Sequence, residues 1–595
     1  MSSLLAVVRR ALDRGWLLGV AVAVLYFAVA PDVIVDGDNS EFSTLAHFGG
    51  AAHPSGYPLY VLWLRAWSWL PVHSPAHAAA LATAMLGVAS VVVIRAAAIA
   101  WGARPAAASL AAAVFATGPV VLHVTTEAEV FALNDLVIAT VLWLAAANGP
   151  LRGSRRAIAL ALVAGLGLCA HMTCVLVAPI GILGVVRGIR ESPARRIAIA
   201  GALAAFAFGL VPYVYLLVAP DSPASWGVVR SFDGLIASIT RREYGGVGAF
   251  APGMPGGDLG HNASLLATTL ARGWLWLPLV LGLAMLGARS VRRAVADSAA
   301  EGQRGSIEPR LGWVLLAVSF VVAGPLLVMR FNLPTAQLFD QMSERFMLVP
   351  LLLLVIPVAA AFDRIAALAG PVVARAPAWA GEVGAVVALG LLGAIASLRV
   401  AALDSPAVEN GIVNTLRSLP ENAVLLIASD EQNFGTTYVQ QALGVRPDVL
   451  VISTAMLSRA WYRERIAARG VVLTSRDPIA IADQLMRAHR AVFVDILIGA
   501  VQAAFGTYPY GTVFRVVPTG QPTPTIDEAI AENRELFARF ELDEPQPGPA
   551  DGYATIAHAR MQQTWSILAQ GLRDDGRADE ATKLDAFAAQ LGPSP

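Results

Sequence analysis

Charge is what this sequence has least of. Only 14 % of its 595 residues are Asp, Glu, Lys or Arg, while 56 % are hydrophobic. A soluble domain carries roughly 25 % charged residues, so a purely soluble enzyme is excluded. The same composition excludes disorder over most of the length. Lysine is all but missing: Lys583 stands alone, and nearly all the positive charge is arginine. That reads as base-composition bias, not chemistry. The 43 basic residues balance 43 acidic ones, so no net field draws nucleic acid. The two cysteines, Cys169 and Cys174, share one apolar stretch. They make neither a zinc set nor a disulfide framework. No fixed period recurs, so a repeat array is not indicated.

What the sequence does have is long apolar runs. A bilayer span takes about 20 such residues. Candidates lie near 16–31, 76–101, 105–122, 130–148, 197–219, 272–288, 311–329, 346–362 and 379–399. The longer stretch 157–187 is interrupted at Ala170-His171-Met172. Arginine in short loops marks the cytoplasmic side. Arg9, Arg10 and Arg14 place the N-terminus inside. Arg152, Arg155 and Arg156 precede the interrupted stretch, and Arg187, Arg190, Arg195 and Arg196 follow it. An even number of crossings must separate two inner clusters, so this stretch reads as a hairpin with His171 at its outer tip. Arg289, Arg292, Arg293, Arg304 and Arg310 mark a further inner loop, and Arg364 and Arg375 the next. The sum is about eleven transmembrane helices, N-terminus cytoplasmic and C-terminus extracytoplasmic. The segments 32–75, 220–271 and 330–345 then lie outside, with a short one near 123–130. The first span resembles a signal peptide ending Ala28-Val29-Ala30, but Pro31 disfavours cleavage and the span is expected to be retained.

After residue 400 the pattern changes. Asn422–Ser429, Asp448–Ser453 and Ala491–Asp495 read as buried strands, with a helix over roughly 433–443 between the first two. From about 525 the pattern is helical and polar. The expected domains are a membrane domain over 1–400, an extracytoplasmic α/β domain over 401–522 and a helical segment over 523–595.

The chemistry concentrates in the first outer segment. Asp36, Asp38 and Glu41 fall within six residues, followed by His47 and His53. Acids beside a hydrocarbon core are costly unless solvated, paired or useful. A solvated loop in which Asp38 or Ser40 caps a helix starting near Glu41 would also account for them.

Gly37-Asp38-Asn39-Ser40-Glu41-Phe42 with His53-Pro54-Ser55-Gly56-Tyr57-Pro58-Leu59 resembles the Gly-Asp-Ser-Gly-Glu…His-Pro-Pro-Gly-Tyr-Pro-Leu signature of the protein O-mannosyltransferase-like membrane proteins, of the GT-C glycosyltransferase superfamily. Glu127-Ala-Glu129-Val-Phe131-Ala-Leu-Asn134, Gly165–His171, Pro212-Tyr213-Val-Tyr215 and Trp226-Gly227 with Thr240–Gly245 are similar to its later motifs. The resemblance is good over about 15–250 and loose beyond. Asn39-Ser40 replaces Ser-Gly and Ser55 replaces the second Pro; neither change removes a titratable group.

The resemblance implies a GT-C-like polytopic α-helical membrane protein carrying a C-terminal extracytoplasmic α/β domain and terminal helices. It also implies an inverting transfer of mannose or another hexose from a polyprenyl-phosphate donor to a protein or glycan hydroxyl on the extracytoplasmic side. Asp38, which matches the signature acid, is the implied base, and Glu41, one helical turn on, orients acceptor or a cation. Asp36 precedes the motif and reads as loop solvation. His53 and Tyr57 either bind sugar or fix the loop. Glu127 and Glu129 are pocket candidates, and His171 is functional or structural. Arg241, Arg242 and Arg345 lie on the side where the topology rule disfavours arginine; they, with Tyr244, are candidates for the donor phosphate. Trp63, Trp67 and Trp69 read as an interfacial belt. No cofactor is demanded; a divalent cation on Asp38, Glu41 and a His is left open. The expected setting is a bacterial inner or plasma membrane, with membrane lipid as a partner and no nucleic acid.

A transporter or lipid-sugar flippase would show repeated halves, which are not seen. A non-catalytic scaffold would have lost Asp38, which is present. Reporter fusions placed after residue 400 test the topology: they are expected to be active only outside the cytoplasm, and a cytoplasmic signal overturns both the orientation and the placement of Asp38.

Overall fold

The computed structural model describes residues 15–246, 256–291, 308–370, 378–548 and 552–593. Arg9, Arg10, Arg14, Arg292, Arg293, Arg304 and Arg375 of the arginine pattern lie outside them. Among the described residues, six helices are long and apolar enough to cross a bilayer: Pro75–Ala100, Gly153–Ala170, Met172–Glu191, Arg195–Val218, Arg310–Phe331 and Trp379–Ser418. Three bent pairs raise this to nine: 105–126 (71°), 259–291 (104°) and 338–368 (43°). With the shorter apolar helices Trp16–Val29 and Phe131–Ala145, these elements fall on every span expected from hydropathy. The expected span 105–122 is broken at Thr117-Gly118, and the run 272–288 departs furthest from a straight span. The chain breaks at Leu275 (φ 60°), so a separate helix, Leu259–Trp274, precedes the expected span at a steep angle.

The interrupted stretch is a hairpin. Gly188, near its end, sits so close to its start that a Cβ there would lie 2.7 Å from the Gly153 carbonyl oxygen and 2.8 Å from the Ala157 nitrogen. Small residues allow such backbone approach between membrane helices. Two ion pairs lie within the bundle: Arg95 donates to Glu382 at 2.6 Å, both buried, and Arg187 to Glu308 at 2.6 Å.

The C-terminal part is built on a five-stranded sheet of order β2-β1-β3-β5-β4. β1 (Val424–Ile427), β2 (Leu450–Ser453) and β3 (Val492–Val494) are the three strands expected and are parallel, with Val424 opposite Leu450 on one side and Val492 on the other. β4 (Gly506–Tyr510) and β5 (Val513–Val517) add an antiparallel hairpin that the sequence pattern did not indicate. Pro509 argues against a strand, and is tolerated because β4 is the sheet's edge. Ile34, from the loop after the first membrane helix, packs in the same core as Leu425, Ile427 and Phe493. The loop and the sheet therefore share buried apolar surface. Helices 526–537, 552–574 and 578–591 close the chain around Trp565.

Candidate active site

The site is built on helix α1 (Gly37–Phe48). Asp36 caps it: the Asn39 N–H donates to Asp36 Oδ1 at 2.7 Å, an ordinary N-cap bond. The helix thus starts a turn earlier than expected, and neither Asp38 nor Ser40 is its cap. Asp36 is also not solvated. It is 1 % exposed, and its second oxygen accepts from Arg345. Asp38, on the first turn, keeps 37 % of its side chain exposed, so of Asp36, Asp38 and Glu41 it is the acid with open access.

Arg345 lies on α2 (Gln337–Phe346) and is buried. Its guanidinium bonds Asp36, donates to Glu129 Oε1 at 2.5 Å and approaches Asp38 Oδ2 at 3.2 Å. Its neighbour Glu344 lies instead beside Arg272 and Thr269. One cation thus gathers carboxylates from two loops. Arg suits this because its planar fork presents several donors at fixed angles. Glu127 is buried nearby, and neither of its oxygens has a hydrogen-bond partner.

One turn further along α1, Glu41 accepts two bonds from His53: from its backbone N–H at 2.8 Å and from Nδ1 at 2.6 Å. Burial raises the Glu41 carboxyl although the imidazole opposes the rise. Burial likewise works against a charged His53, but the Glu41 carboxylate outweighs it and pushes the imidazole up to about 9. Rings continue outward from this pair. His53 lies 5.1 Å from Tyr57 and 6.2 Å from Trp226, and Tyr57 stacks on His171 at 5.7 Å with planes 6° apart. His171, at the turn of the membrane hairpin, also contacts Phe131 and Phe346. It therefore lies under the site as a packed ring, its Nδ1 paired with the Thr173 hydroxyl.

The three candidate arginines separate by their partners. Arg242 is exposed and pairs with Asp233 at 3.2 Å. Arg345 is committed to carboxylates. Arg241 has no carboxylate partner among the described residues. Its guanidinium lies 5.0 Å from the Tyr244 ring, its buried Nε is unpaired, and its charge is felt at both His53 and Tyr57. Asp38, Glu41 and His53 bring one ligand atom each within 4.8 Å, as do Asp36, Glu127 and Glu129. These are the groups that could hold a divalent cation. The His53–Glu41 pair and Arg345 satisfy many of the same atoms without one.

Residues beyond the expected set complete the site. Helix α3 (Asp430–Gln441) lies across α1, so close that a Cβ on Gly37 would sit 3.2 Å from the Glu431 nitrogen. Asp430, at the start of α3, is exposed to solvent and close enough to Asp38 to feel its charge. Glu431 is held by Arg560 at 2.6 Å. Trp226 closes the other flank, stacking on Tyr244 and donating to Glu243 at 2.9 Å. Its presence in the motif Trp226-Gly227 was the signal for it; for α3 the signal is the polar turn Ser429-Asp430-Glu431-Gln432-Asn433, which reads as able to contact acceptor.

The overall fold is GT-C-like. ArnT from Cupriavidus metallidurans bound to undecaprenyl phosphate superposes with a TM-score of 0.52 at 14 % identity, covering 86 % of this chain and 99 % of that one. Its apo state gives 0.50 with the same identity and coverage. Residues 38–193 match the family model for the protein O-mannosyl-transferase TMEM260 N-terminal domain. Mouse (Mus musculus) protein O-mannosyl-transferase TMEM260 is 30 % identical over 234 residues, 38 % of this chain and 33 % of the mouse protein. The chain thus spans about a third of the length of that curated relative, and the match bears out the family read from the sequence motifs.

The charge state of His53 is directly testable. Its folded value of about 9 exceeds the ordinary 6.5. The stabilisation it contributes is therefore complete below about pH 6.5 and is lost as pH rises through about 9. Histidine-selective NMR of the wild type should show the imidazolium persisting to about pH 9. In Glu41→Gln burial and the Arg241 charge remain against Asp38 alone, and the midpoint should fall well below 9; an unchanged midpoint overturns the pairing.

Proposed function

We propose that this protein transfers a sugar, mannose by the name of its mouse relative, from a polyprenyl-phosphate donor to an acceptor hydroxyl on the extracytoplasmic side. The observation that carries the reading is Asp38: one open carboxylate on a helix whose other acids are buried and bonded. The acceptor oxygen attacks the anomeric carbon as its proton passes to Asp38. The bond from that carbon to the phosphate oxygen breaks, and the lipid phosphate leaves. Attack from the face opposite the phosphate inverts the centre, and one base suffices.

Arg241 takes the phosphate in this reading, since it is a cation beside His53, Tyr57 and Tyr244 with no carboxylate to neutralise it. Arg345 is a positioning residue: it holds Asp38 through the same guanidinium that holds Asp36 and Glu129. The Glu41–His53 pair fixes the loop and orients the acceptor, with Tyr57 packed on it. Glu127 and Glu129 wall the pocket. The donor's isoprenoid chain fits a cavity of about 460 Å³ between the hairpin and helix Arg195–Gly209, lined by Val137, Leu160, Leu168, Cys174 and Phe206. Its lining is almost wholly apolar, and it begins within a few residues of His171. The undecaprenyl phosphate bound in the ArnT crystal structure supports a donor lipid of this class.

Asp38→Asn keeps shape but cannot take a proton, and turnover should fall about 10²–10⁴-fold while donor binding persists. Asp36→Asn should instead lower the melting temperature, because it removes one charge of a buried pair. Near-wild-type transfer by Asp38→Asn moves the base elsewhere.

Arg241→Ala should weaken donor binding by about 1.5–3 kcal/mol, the range for a hydrogen bond to a charged group. Arg242→Ala, on an exposed pair, should bind as wild type. Equal donor affinity in all three of wild type, Arg241→Ala and Arg242→Ala removes the phosphate from this loop. Titration with a soluble polyprenyl-phosphate analogue reads the difference.

A further inference from the structure

A second cavity, of about 660 Å³, lies beside α3. One wall is the segment 221–228; the other is α3 and helix α4 (Ala460–Ala468). Arg465 of α4 fastens the two together, donating to the carbonyls of Pro223 at 3.0 Å and Ser225 at 2.9 Å and to Asp221 at 3.0 Å. The cavity adjoins the catalytic loop: Trp226 lines it, contacts His53 at 6.2 Å, and receives Phe434 of α3 at 6.0 Å.

Its lining carries charged side chains, Asp221, Glu464, Arg465 and Arg469, beside a polar stripe on α3. Asn433, Thr437 and Gln441 of α3 line it at i, i+4 and i+8. The amides of Asn433 and Gln441 make no hydrogen bond among the described residues, and each can both donate and accept. Steps of four residues along a helix are about 6 Å. An extended chain repeats its outward-facing groups every two residues, about 6.7 Å. The stripe therefore meets successive backbone groups of an extended peptide. A sugar would need open aromatic faces, and these are occupied. Arg459 lies 4.8 Å over Trp226, on which Tyr244 also stacks. Arg465 lies 5.0 Å over Trp461, and a Cβ on Gly227 would sit 3.0 Å from that indole.

We infer that this cavity binds an extended segment of the acceptor polypeptide and feeds its hydroxyl past Trp226 to Asp38. The inference rests on the transfer reading above and names its acceptor as protein. It also gives α3 two duties. Its Gly435 face packs on Ile34 at the base of α1, while the Asn433–Gln441 stripe holds the peptide, so acceptor and base share one rigid support.

The test uses the full-length protein in nanodiscs and a library of Ser/Thr-rich synthetic peptides. Peptide binding is read by fluorescence anisotropy and, separately, hydrolysis of the lipid-linked sugar by water is measured. Asn433→Ala/Gln441→Ala removes two hydrogen bonds at a partly solvated surface and should weaken peptide binding about tenfold or more. Donor hydrolysis should be unchanged, which also reports an intact fold. Gln441→Arg, which fills the cavity, should abolish peptide binding with the same unchanged hydrolysis. Wild-type affinity in both variants overturns the inference, as does a library with no binder or binding of an oligosaccharide probe in place of peptide. Peptide binding that depends on the stripe, in a protein that never cleaves the donor, supports the cavity as a peptide site and overturns the transfer reading instead.

Discussion

A single buried guanidinium organises this protein. Arg345 sits among Asp36, Asp38 and Glu129, and without it three carboxylates would face each other across a few ångströms of low-dielectric interior. Breaking a buried charge pair by removing one partner typically costs about 3–5 kcal/mol; here one residue serves three partners. The pairing also decides which acid remains open. Asp36 is used by the helix cap and the guanidinium and Glu129 by the guanidinium, whereas Asp38 touches Arg345 only at 3.2 Å and keeps solvent access. A cluster of like acids is thereby divided into structural members and a reactive one.

The second constraint is the sandwich around α1. Its polar residues Asn39, Ser40, Glu41, Ser43 and Thr44 are all buried, an unusual state for a helix at the edge of a membrane bundle. The C-terminal α/β part accounts for it: α3 covers one side of α1, and Arg560, from helix 552–574, ties α3 down through Glu431 at 2.6 Å and lies 3.5 Å from Asp495 at the end of β3. Support for Asp38 thus comes from residues hundreds of positions away in the chain, and a change at Arg560 reaches the site through Glu431 and Gly37 without touching substrate.

Much of this was legible in the sequence where a local rule governs. Apolar run length placed the spans, and arginine clusters on both sides of 157–187 required the hairpin that Gly188 and Gly153 close. The strands 424–427, 450–453 and 492–494 read directly because they are short, mostly buried and mostly apolar runs. What failed had no local rule to decide it. Asp36, Asp38 and Ser40 are equally good caps, and the choice fell to Arg345, 309 residues beyond Asp36. Arg241, Arg242 and Arg345 look alike in sequence; Asp233 in one case and the acid cluster in another distinguish them. Pro509 concealed β4 because edge position is a property of the sheet, not of the strand.

Parallel sheets usually take ligands beyond the carboxyl ends of their strands. Here that edge is filled from within: α3 begins at Asp430, three residues after β1, and its first turn lies against Gly37. The loop that carries Asp38 is made early in synthesis, whereas the surface that locks it is made from residues 424–560. The nascent chain therefore holds its acids in an unfinished frame, and the site is assembled only when those later residues have folded onto the first loop.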